Sequence, residues 1–129
     1  MSFRQHLFAI YADWKQWSVE EGNAIRQSDW PLMHSCQSAK RALQPKIVET
    51  TTAAKSETLE SGESWEALEL DLRREVAGLI ELENKNGEIL HSVKKLALAE
   101  EAELERSQRS LRQIRSYAPV SATAWSTYT

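Results

Sequence analysis

Residues 64–117 read SWEALELDLRREVAGLIELENKNGEILHSVKKLALAEEAELERSQRSLRQIRSY, a stretch without proline whose only glycines are Gly78 and Gly87. Apolar side chains recur along it at intervals of three and four residues, which is the spacing of one face of an α-helix. They are Leu68, Leu72, Val76, Leu79, Leu82, Ile89, Leu90, Val93, Leu96, Leu104, Leu111 and Ile114. Such a helix would extend about 80 Å. The stretch therefore predicts one long helix that forms the spine of an elongated bundle, a coiled coil, or both.

The N-terminal residues predict a first helix over 2–27. Ser2 can cap this helix, and Gln5, three residues later, can complete a capping box. Large apolar residues then follow at helical spacing, with Glu21 as an interruption. They are Phe3, Leu7, Ile10, Trp14, Trp17 and Ala24. We expect the two tryptophans to pack in a core, and the alternative is that they form an exposed groove for a partner helix.

A second helix is predicted over 30–49. Ser28 or Asp29 can cap it, and Pro31 is tolerated in a first turn because its missing N–H would be unpaired there in any helix. Pro45 interrupts the pattern. We expect a kink at this proline rather than the end of the helix, because Ile47 and Val48 continue the helical spacing of apolar residues.

Two further segments lack a helical period. Residues 50–63 begin with three threonines, whose stiff χ1 and local backbone hydrogen bonds disfavour a helix, so a linker is predicted there. Residues 119–129 begin with a proline and are rich in Ser, Thr and Ala, which predicts a disordered tail. Trp125 and Tyr128 are unusual in such a tail. They form either a short docking motif or a segment that folds back onto the bundle.

These elements predict an all-α fold, an elongated antiparallel three-helix bundle or coiled coil with one long C-terminal helix. One helical domain is expected over 1–118, with a helical hairpin at 2–49, the linker at 50–63 and the long helix at 64–117. Its core residues should be buried together. They are Leu7, Ile10, Trp14, Trp17, Leu43, Leu72, Val76, Leu79 and Leu90.

The composition excludes several classes of protein. The net charge of −3 and the pI near 5.7 argue against nucleic-acid binding, which needs a basic surface. One cysteine, Cys36, excludes an internal disulfide framework and fits a reducing compartment. The apolar run Leu7–Ala12 is too short for a signal peptide, and no uncharged run approaches the ~20 residues of a membrane span. We expect a cytoplasmic protein with no membrane span and no nucleic-acid partner.

The sequence contains no recognisable catalytic or metal-binding pattern. His34 and Cys36 are two residues apart, so on a helix they point about 200° away from each other and cannot share a metal or form a dyad. His6 and His91 lie far from both. There is no P-loop, no dinucleotide fingerprint, no nucleophile elbow and no Glu-x-x-His pair. We therefore expect a protein that is not an enzyme and has no metal or cofactor.

The charges of the long helix are unevenly distributed. No acidic residue follows Glu105, and Arg106, Arg109, Arg112 and Arg115 come after it at three-residue steps. Cations near a helix C-terminus are favoured by the helix macrodipole. A docking patch for an acidic partner is the alternative interpretation.

The middle of the long helix is irregular. Asn84, Asn86 and Gly87 are poor helix formers, each costing ~0.5–1 kcal/mol relative to a good one. Asn86 lies on a seven-residue apolar row. A buried asparagine that sets the register, or a close helix crossing at Gly87, would explain the irregularity. A role in partner binding is the alternative.

Six residues in and around this irregular segment form a distinctive phrase: Leu79, Leu82, Asn86, Gly87, Ile89 and Leu90. In them the sequence resembles the FlgN-type family of flagellar export chaperones, which carry the phrase Leu-x-x-Leu-Asn-x-x-Asn-Gly-x-Leu-Ile in a long C-terminal helix. The chain departs from this phrase at Glu83, where the family has its first asparagine, and Asn84 follows one place later. The segment EEGNAI at 20–25, with Asp29, Leu32, Lys40 and Leu43, is similar to the family's first helical hairpin.

The resemblance implies a cytosolic binding protein that holds the amphipathic C-terminal helix of hook-associated filament proteins before their export. The candidate partner-binding residues are Leu82, Asn86, Ile89, Leu90, Val93, Leu96, Leu104 and Leu111. The two N-terminal helices are too short to cover this whole row, since 25 residues of helix span only ~38 Å. Its uncovered part must therefore contact something else. The alternative is a non-catalytic helical scaffold that associates with its own copies through the same surface.

Overall fold

The described chain consists of three α-helices. The computed structural model describes residues 2–117, with side chains up to residue 114. The helices are α1 (Phe3–Arg26), α2 (Trp30–Glu60) and α3 (Trp65–Tyr117), and the described residues include no strand. The all-α prediction and the start of each helix are confirmed within one residue. The tail predicted at 119–129 lies outside the described residues.

The chain divides into two compact units, Met1–Val93 and Lys94–Thr129. In the first unit, α1, α2 and the α3 residues up to Val93 form a three-helix bundle, in which α1 and α2 approach each other most closely. The second unit contains the remaining residues of α3. The prediction that residues 1–118 form one domain stays a prediction.

Local capping explains why the first two helices begin where the sequence predicts. The Ser2 hydroxyl accepts a hydrogen bond from the Gln5 N–H at 3.1 Å, and the Gln5 Oε1 accepts one from the Ser2 N–H at 3.1 Å. Asp29 Oδ1 accepts a hydrogen bond from the Leu32 N–H at 3.2 Å. Pro31 lies in the first turn of α2, where its missing N–H leaves no acceptor unpaired.

The prediction of a linker at 50–63 is wrong, because α2 continues to Glu60. The threonine hydroxyls, which were expected to compete with the helix, instead donate to carbonyl oxygens four residues earlier. Thr51 Oγ1 lies 2.6 Å from the Ile47 carbonyl oxygen, and Thr58 Oγ1 lies 2.7 Å from that of Ala54. Their hydrogen bonds are thus satisfied within the helix. The predicted 30–49 helix is correspondingly too short, and Pro45 lies inside α2.

The part of α2 beyond residue 49 packs against the other helices through small side chains on one face. Thr50, Ala54 and Thr58 are four residues apart and all are buried. Ala54 packs in a cluster with Leu7 of α1 and Leu68 of α3. Burial of this face stabilises the helix where intrinsic propensity alone does not.

Both turns between helices use the Schellman motif, in which the residue after the C-cap has a left-handed backbone. In the first turn that residue is Ser28, at φ 55°, and the N–H of Asp29 donates to the Ala24 carbonyl oxygen at 2.8 Å. In the second turn it is Gly62, at φ 75°. A glycine adopts this conformation without strain, whereas a serine does so at a cost.

The apolar core of the first unit has two parts. One cluster of buried residues consists of Leu7, Tyr11, Ala54, Leu68 and Leu72, and the other consists of Ala24, Ile25 and Met33. The residues predicted to be buried together are therefore not all buried, and they do not all pack in one cluster. Of these residues, Leu7, Ile10, Leu43 and Leu72 are buried. The others are only half-buried: Trp14, Trp17, Val76, Leu79 and Leu90.

Candidate partner-binding surface

Five polar side chains from three helices bond to one another between the two apolar clusters. They are Ser18 and Glu21 of α1, Lys40 of α2, and Glu83 and Asn86 of α3. The ammonium nitrogen of Lys40 lies 3.1 Å from Glu21 Oε1 and 2.7 Å from Glu83 Oε1. Lys40 is only 5% exposed, so water hydrates its charge poorly and the two carboxylates must stabilise it. We call this group the polar network.

Asn86 connects α3 to α1 within the polar network. Its amide nitrogen donates to the Ser18 carbonyl oxygen at 2.7 Å and to Glu21 Oε1 at 3.1 Å. A Cβ on Gly22 would lie 2.6 Å from Asn86 Oδ1, so a larger residue at this position would force the Asn86 side chain to shift. The interpretation of Asn86 as a buried asparagine is confirmed. The glycine that permits close approach is Gly22 rather than Gly87, since a Cβ on Gly87 would meet nothing within 4 Å.

Glu83 is held in its charged form by its neighbours. Partial burial alone would raise the pKa of this carboxyl, but hydrogen bonds from Lys40, Ser18 and Trp14, together with the charge of Lys40, lower it overall. Trp14 Nε1 donates to Glu83 Oε1 at 3.1 Å. Glu83 thus stays ionised and anchors the middle of α3 to both other helices.

A cleft of about 340 Å³ opens beside the polar network. Besides members of the network it is lined by Trp14, Ile25, Gln37, Arg41, Gln44, Gly87 and Leu90. The network side chains at its wall are bonded to one another. In this arrangement Lys40 forms ion pairs with Glu21 and Glu83.

The single cysteine of the chain, Cys36, has a free thiol. Cys36 is fully buried, and burial together with the charges of Glu20 and Glu21 raises the pKa of its thiol, which therefore stays protonated. Among the described residues, no group of three His, Cys, Asp or Glu side chains could hold a metal ion. None of the helices in the described part of the chain is long and apolar enough to cross a membrane.

Five of the eight predicted partner-binding residues lie in the first unit. Asn86 belongs to the polar network. Ile89, Leu90 and Val93 pack against the cluster around Ala24, Ile25 and Met33 and are half-buried. Leu82 is half-buried as well. Four of these five therefore already have partners within the bundle, which leaves little of this segment for another protein.

The other three predicted residues lie in the second unit and are exposed. Leu96, Leu104 and Leu111 are 62%, 60% and 45% exposed, and Ile114, three residues beyond Leu111, is 51% exposed. Intervals of eight, seven and three residues place them on one face of the helix. We call Leu96, Leu104, Leu111 and Ile114 the exposed row. In the part of the chain that the structure describes, nothing buries these side chains.

The polar network was not predicted from the sequence. Glu21 was recognised there only as an interruption of an apolar stripe, without a connection to Lys40 and Glu83. The signal was present in the pattern, because Glu83 stands midway between Val76 and Leu90 on a row with seven-residue spacing. Opposite charges on the apolar faces of three neighbouring helices indicate a buried ion pair.

Comparison with protein-family models, curated proteins and solved structures found no match. The resemblance to FlgN-type chaperones therefore rests on the sequence phrases alone. Most of the residues of its main phrase are packing residues in this structure. Asn86, for example, donates hydrogen bonds to α1, and Leu90 packs against the cluster of Ala24, Ile25 and Met33.

Proposed function

We propose that this protein is a non-catalytic binding protein that holds an amphipathic helix of another protein on the exposed row. The observation that carries the proposal is the exposure of four large apolar side chains on one helical face of the second unit. Exposed apolar side chains that share one helical face mark interaction sites in other proteins. A partner helix with apolar residues at intervals of three and four would fit this row.

The proposed cellular role follows from the resemblance to FlgN-type chaperones. In that role the protein is a cytoplasmic export chaperone, and its partner is the C-terminal helix of a hook-associated flagellar protein. Binding would keep the apolar face of that helix from associating before export. The first unit contributes a folded base, in which the polar network and the two apolar clusters fix the three helices against one another.

The surface proposed here is narrower than the one predicted from the sequence. Leu90→Glu would place a charge beside Ala24 and Ile25 and would destabilise the bundle itself, so it is a poor probe of partner binding. Leu104 and Leu111 are better sites for substitution. Both are exposed, so replacing them should leave the first unit folded.

The test uses labelled synthetic peptides that correspond to the C-terminal helices of the hook-associated proteins from the same organism. We expect the full-length chain to bind one or more of them, and Leu104→Glu with Leu111→Glu to weaken binding at least ~10-fold, since each leucine loses its apolar contact. Fluorescence polarisation measures both affinities.

The matched control replaces two exposed apolar residues of α2, Val48→Glu and Leu59→Glu, which are 69% and 59% exposed. This control should bind as the wild type does. If no peptide binds the wild-type chain, the chaperone proposal fails. If the Leu104 and Leu111 variant binds with unchanged affinity, the partner uses another surface, and the half-buried pair Trp14 and Trp17 becomes the next candidate.

A further inference from the structure

The exposed row has one charged residue near its centre line. Glu100 lies four residues after Leu96 and four residues before Leu104, and at about 100° per residue it falls close to the middle of the face that the row occupies. Its side chain is exposed, as are those of the two leucines. A helix that covers both leucines therefore also covers Glu100.

Glu100 has no cation beside it on its own helix. Ion pairs within a helix form between residues three or four positions apart. The residues at those distances from Glu100 are Leu96, Ala97, Glu103 and Leu104. Glu103 is itself acidic, and it pairs with Arg106 at 2.6 Å. Glu100 forms no ion pair in the part of the chain that the structure describes.

The basic residues of the second unit lie on the other side of the helix. Those with described side chains are at least about 110° around the helix from the centre of the row. They are Lys94, Lys95, Arg106, Arg109 and Arg112. Arg115 lies at the opposite end of the row from Glu100, about 22 Å further along the helix, whereas salt screens charges over ~8 Å. The face around Glu100 is therefore acidic. A second copy would present the same face, so charge does not favour it as the occupant.

Covering Glu100 with a wholly apolar helix is costly, because a carboxylate that is removed from water without a counter-charge loses its hydration. We propose that Glu100 selects the partner of the exposed row, an amphipathic helix whose apolar stripe is interrupted by one lysine or arginine opposite Glu100. This inference rests on the proposed function, and it adds the chemistry of the partner and the residue that recognises it. The cation of the partner pairs with the Glu100 carboxylate, while the apolar residues on either side of it contact Leu96 and Leu104.

The test uses two sets of designed helical peptides of about 20 residues, the length that spans the row from Leu96 to Ile114. Every peptide has the same apolar stripe, and the three peptides of a set carry Lys, Gln or Glu at one position of that stripe. This position lies about one fifth of the length from the N-terminal end in one set and from the C-terminal end in the other, so that both packing directions place it opposite Glu100. Fluorescence polarisation measures the affinity of each peptide for the full-length chain.

The ranking of the three peptides reports on Glu100. In one of the two sets we expect the Lys peptide to bind the wild type at least ~10-fold more tightly than the Gln peptide, and the Glu peptide to bind most weakly. This preference should decline as salt is added. Glu100→Gln should remove most of the preference. Glu100→Lys should invert the order, so that the Glu peptide binds most tightly.

The matched control is Glu105→Lys. It changes the net charge by the same amount as Glu100→Lys, at an exposed position about 145° around the helix from the centre of the row. It should retain the preference for the Lys peptide. Both variants exchange one good helix former for another, and circular dichroism checks that each stays helical. Sedimentation equilibrium without peptide tests a second copy as the occupant, and we expect the wild type to be monomeric at the concentrations of the binding assay.

The inference is overturned if the wild type binds no designed peptide, binds all three of each set equally, or forms a dimer that no peptide displaces. It is also overturned if Glu105→Lys inverts the order as Glu100→Lys does. Equal binding that Leu104→Glu with Leu111→Glu weakens removes the inference and retains the binding surface of the proposed function. A preference for the Lys peptide, without binding of any hook-associated peptide, retains the inference and removes the proposed cellular role.

Discussion

The two parts of α3 have similar apolar spacing but different surroundings. In the first unit, Ile89, Leu90 and Val93 pack against residues of α1 and α2. In the second unit, Leu104 and Leu111 continue the seven-residue row to which Leu90 belongs, and both remain exposed. The spacing thus predicts a helix with an apolar face in both parts, but it does not predict which part of that face is buried. Burial depends on whether another helix lies opposite.

The largest expected loss of stability follows from disrupting the polar network, which joins α3 to α1 and α2 in the first unit. Lys40→Met removes the ammonium and leaves Glu21 and Glu83 close together without a counter-charge. We expect a loss of about 3 kcal/mol in the free energy of unfolding, measured by urea denaturation. The control is Arg73→Met, which breaks the exposed ion pair with Glu69 and should cost less than ~1 kcal/mol. Equal losses would mean that the network does not secure α3.

A pair of leucine substitutions compares the two units directly. Leu68 is 2% exposed, so Leu68→Ala should lower the free energy of unfolding by ~2–4 kcal/mol through lost contacts and the cavity that remains. Leu104→Ala in the second unit should change it by less than ~0.5 kcal/mol at dilutions where the chain is monomeric. A large loss for Leu104→Ala under those conditions would show that the exposed row is buried within the monomer, contrary to the structure.

Two glycines of the first unit should respond with opposite signs. Gly22→Ala places a Cβ against Asn86 Oδ1, so we expect a loss of ~1–3 kcal/mol in unfolding free energy from overpacking. Gly87→Ala meets no neighbouring atom within 4 Å and should stabilise the helix by ~0.5–1 kcal/mol through its better helix propensity. Thermal unfolding of both variants measures the difference. Destabilisation by Gly87→Ala would indicate a close contact at Gly87 instead.

The smallest expected effect is in the pH dependence of the first unit. The folded-state pKa of Glu83 is lowered, despite its partial burial, by Lys40, Ser18 and Trp14. Its ionised form therefore stabilises the fold above the unfolded pKa of ~4.3, and this contribution is lost as the pH falls through the folded pKa. Glu83→Gln should unfold with a shallower dependence on pH in this acidic range. An unchanged slope would show that Glu83 does not contribute.

Several features could be predicted from the sequence because they arise from neighbouring residues. The capping box of Ser2 and Gln5 and the N-cap of Asp29 need only side chains within three residues of the helix start. The end of α2 could not be predicted in this way. The threonines disfavour a helix by propensity, but burial of Ala54 against Leu7 and Leu68 outweighs that preference.

The candidate site was predicted only in part. Its exposed members, Leu96, Leu104 and Leu111, were identified from their spacing. The same spacing also selected Ile89 and Leu90, which pack inside the three-helix bundle. A pattern of apolar residues is the same whether the partner is another helix of this chain or another molecule. The polar network was missed because its charges are far apart in the sequence, with Glu21, Lys40 and Glu83 on three different helices.

The amino-acid sequence by itself determined that the described chain is helical, where its helices begin and which face of each is apolar. The reason is that helical hydrogen bonds join residues four apart, and caps and apolar stripes extend over one or two turns. Only the tertiary structure decided that Asn86 and Lys40 are buried partners of Glu21, and that Leu104 is exposed. Burial and ion pairing depend on atoms supplied by other helices, and the sequence of a single helix does not specify which atoms these are.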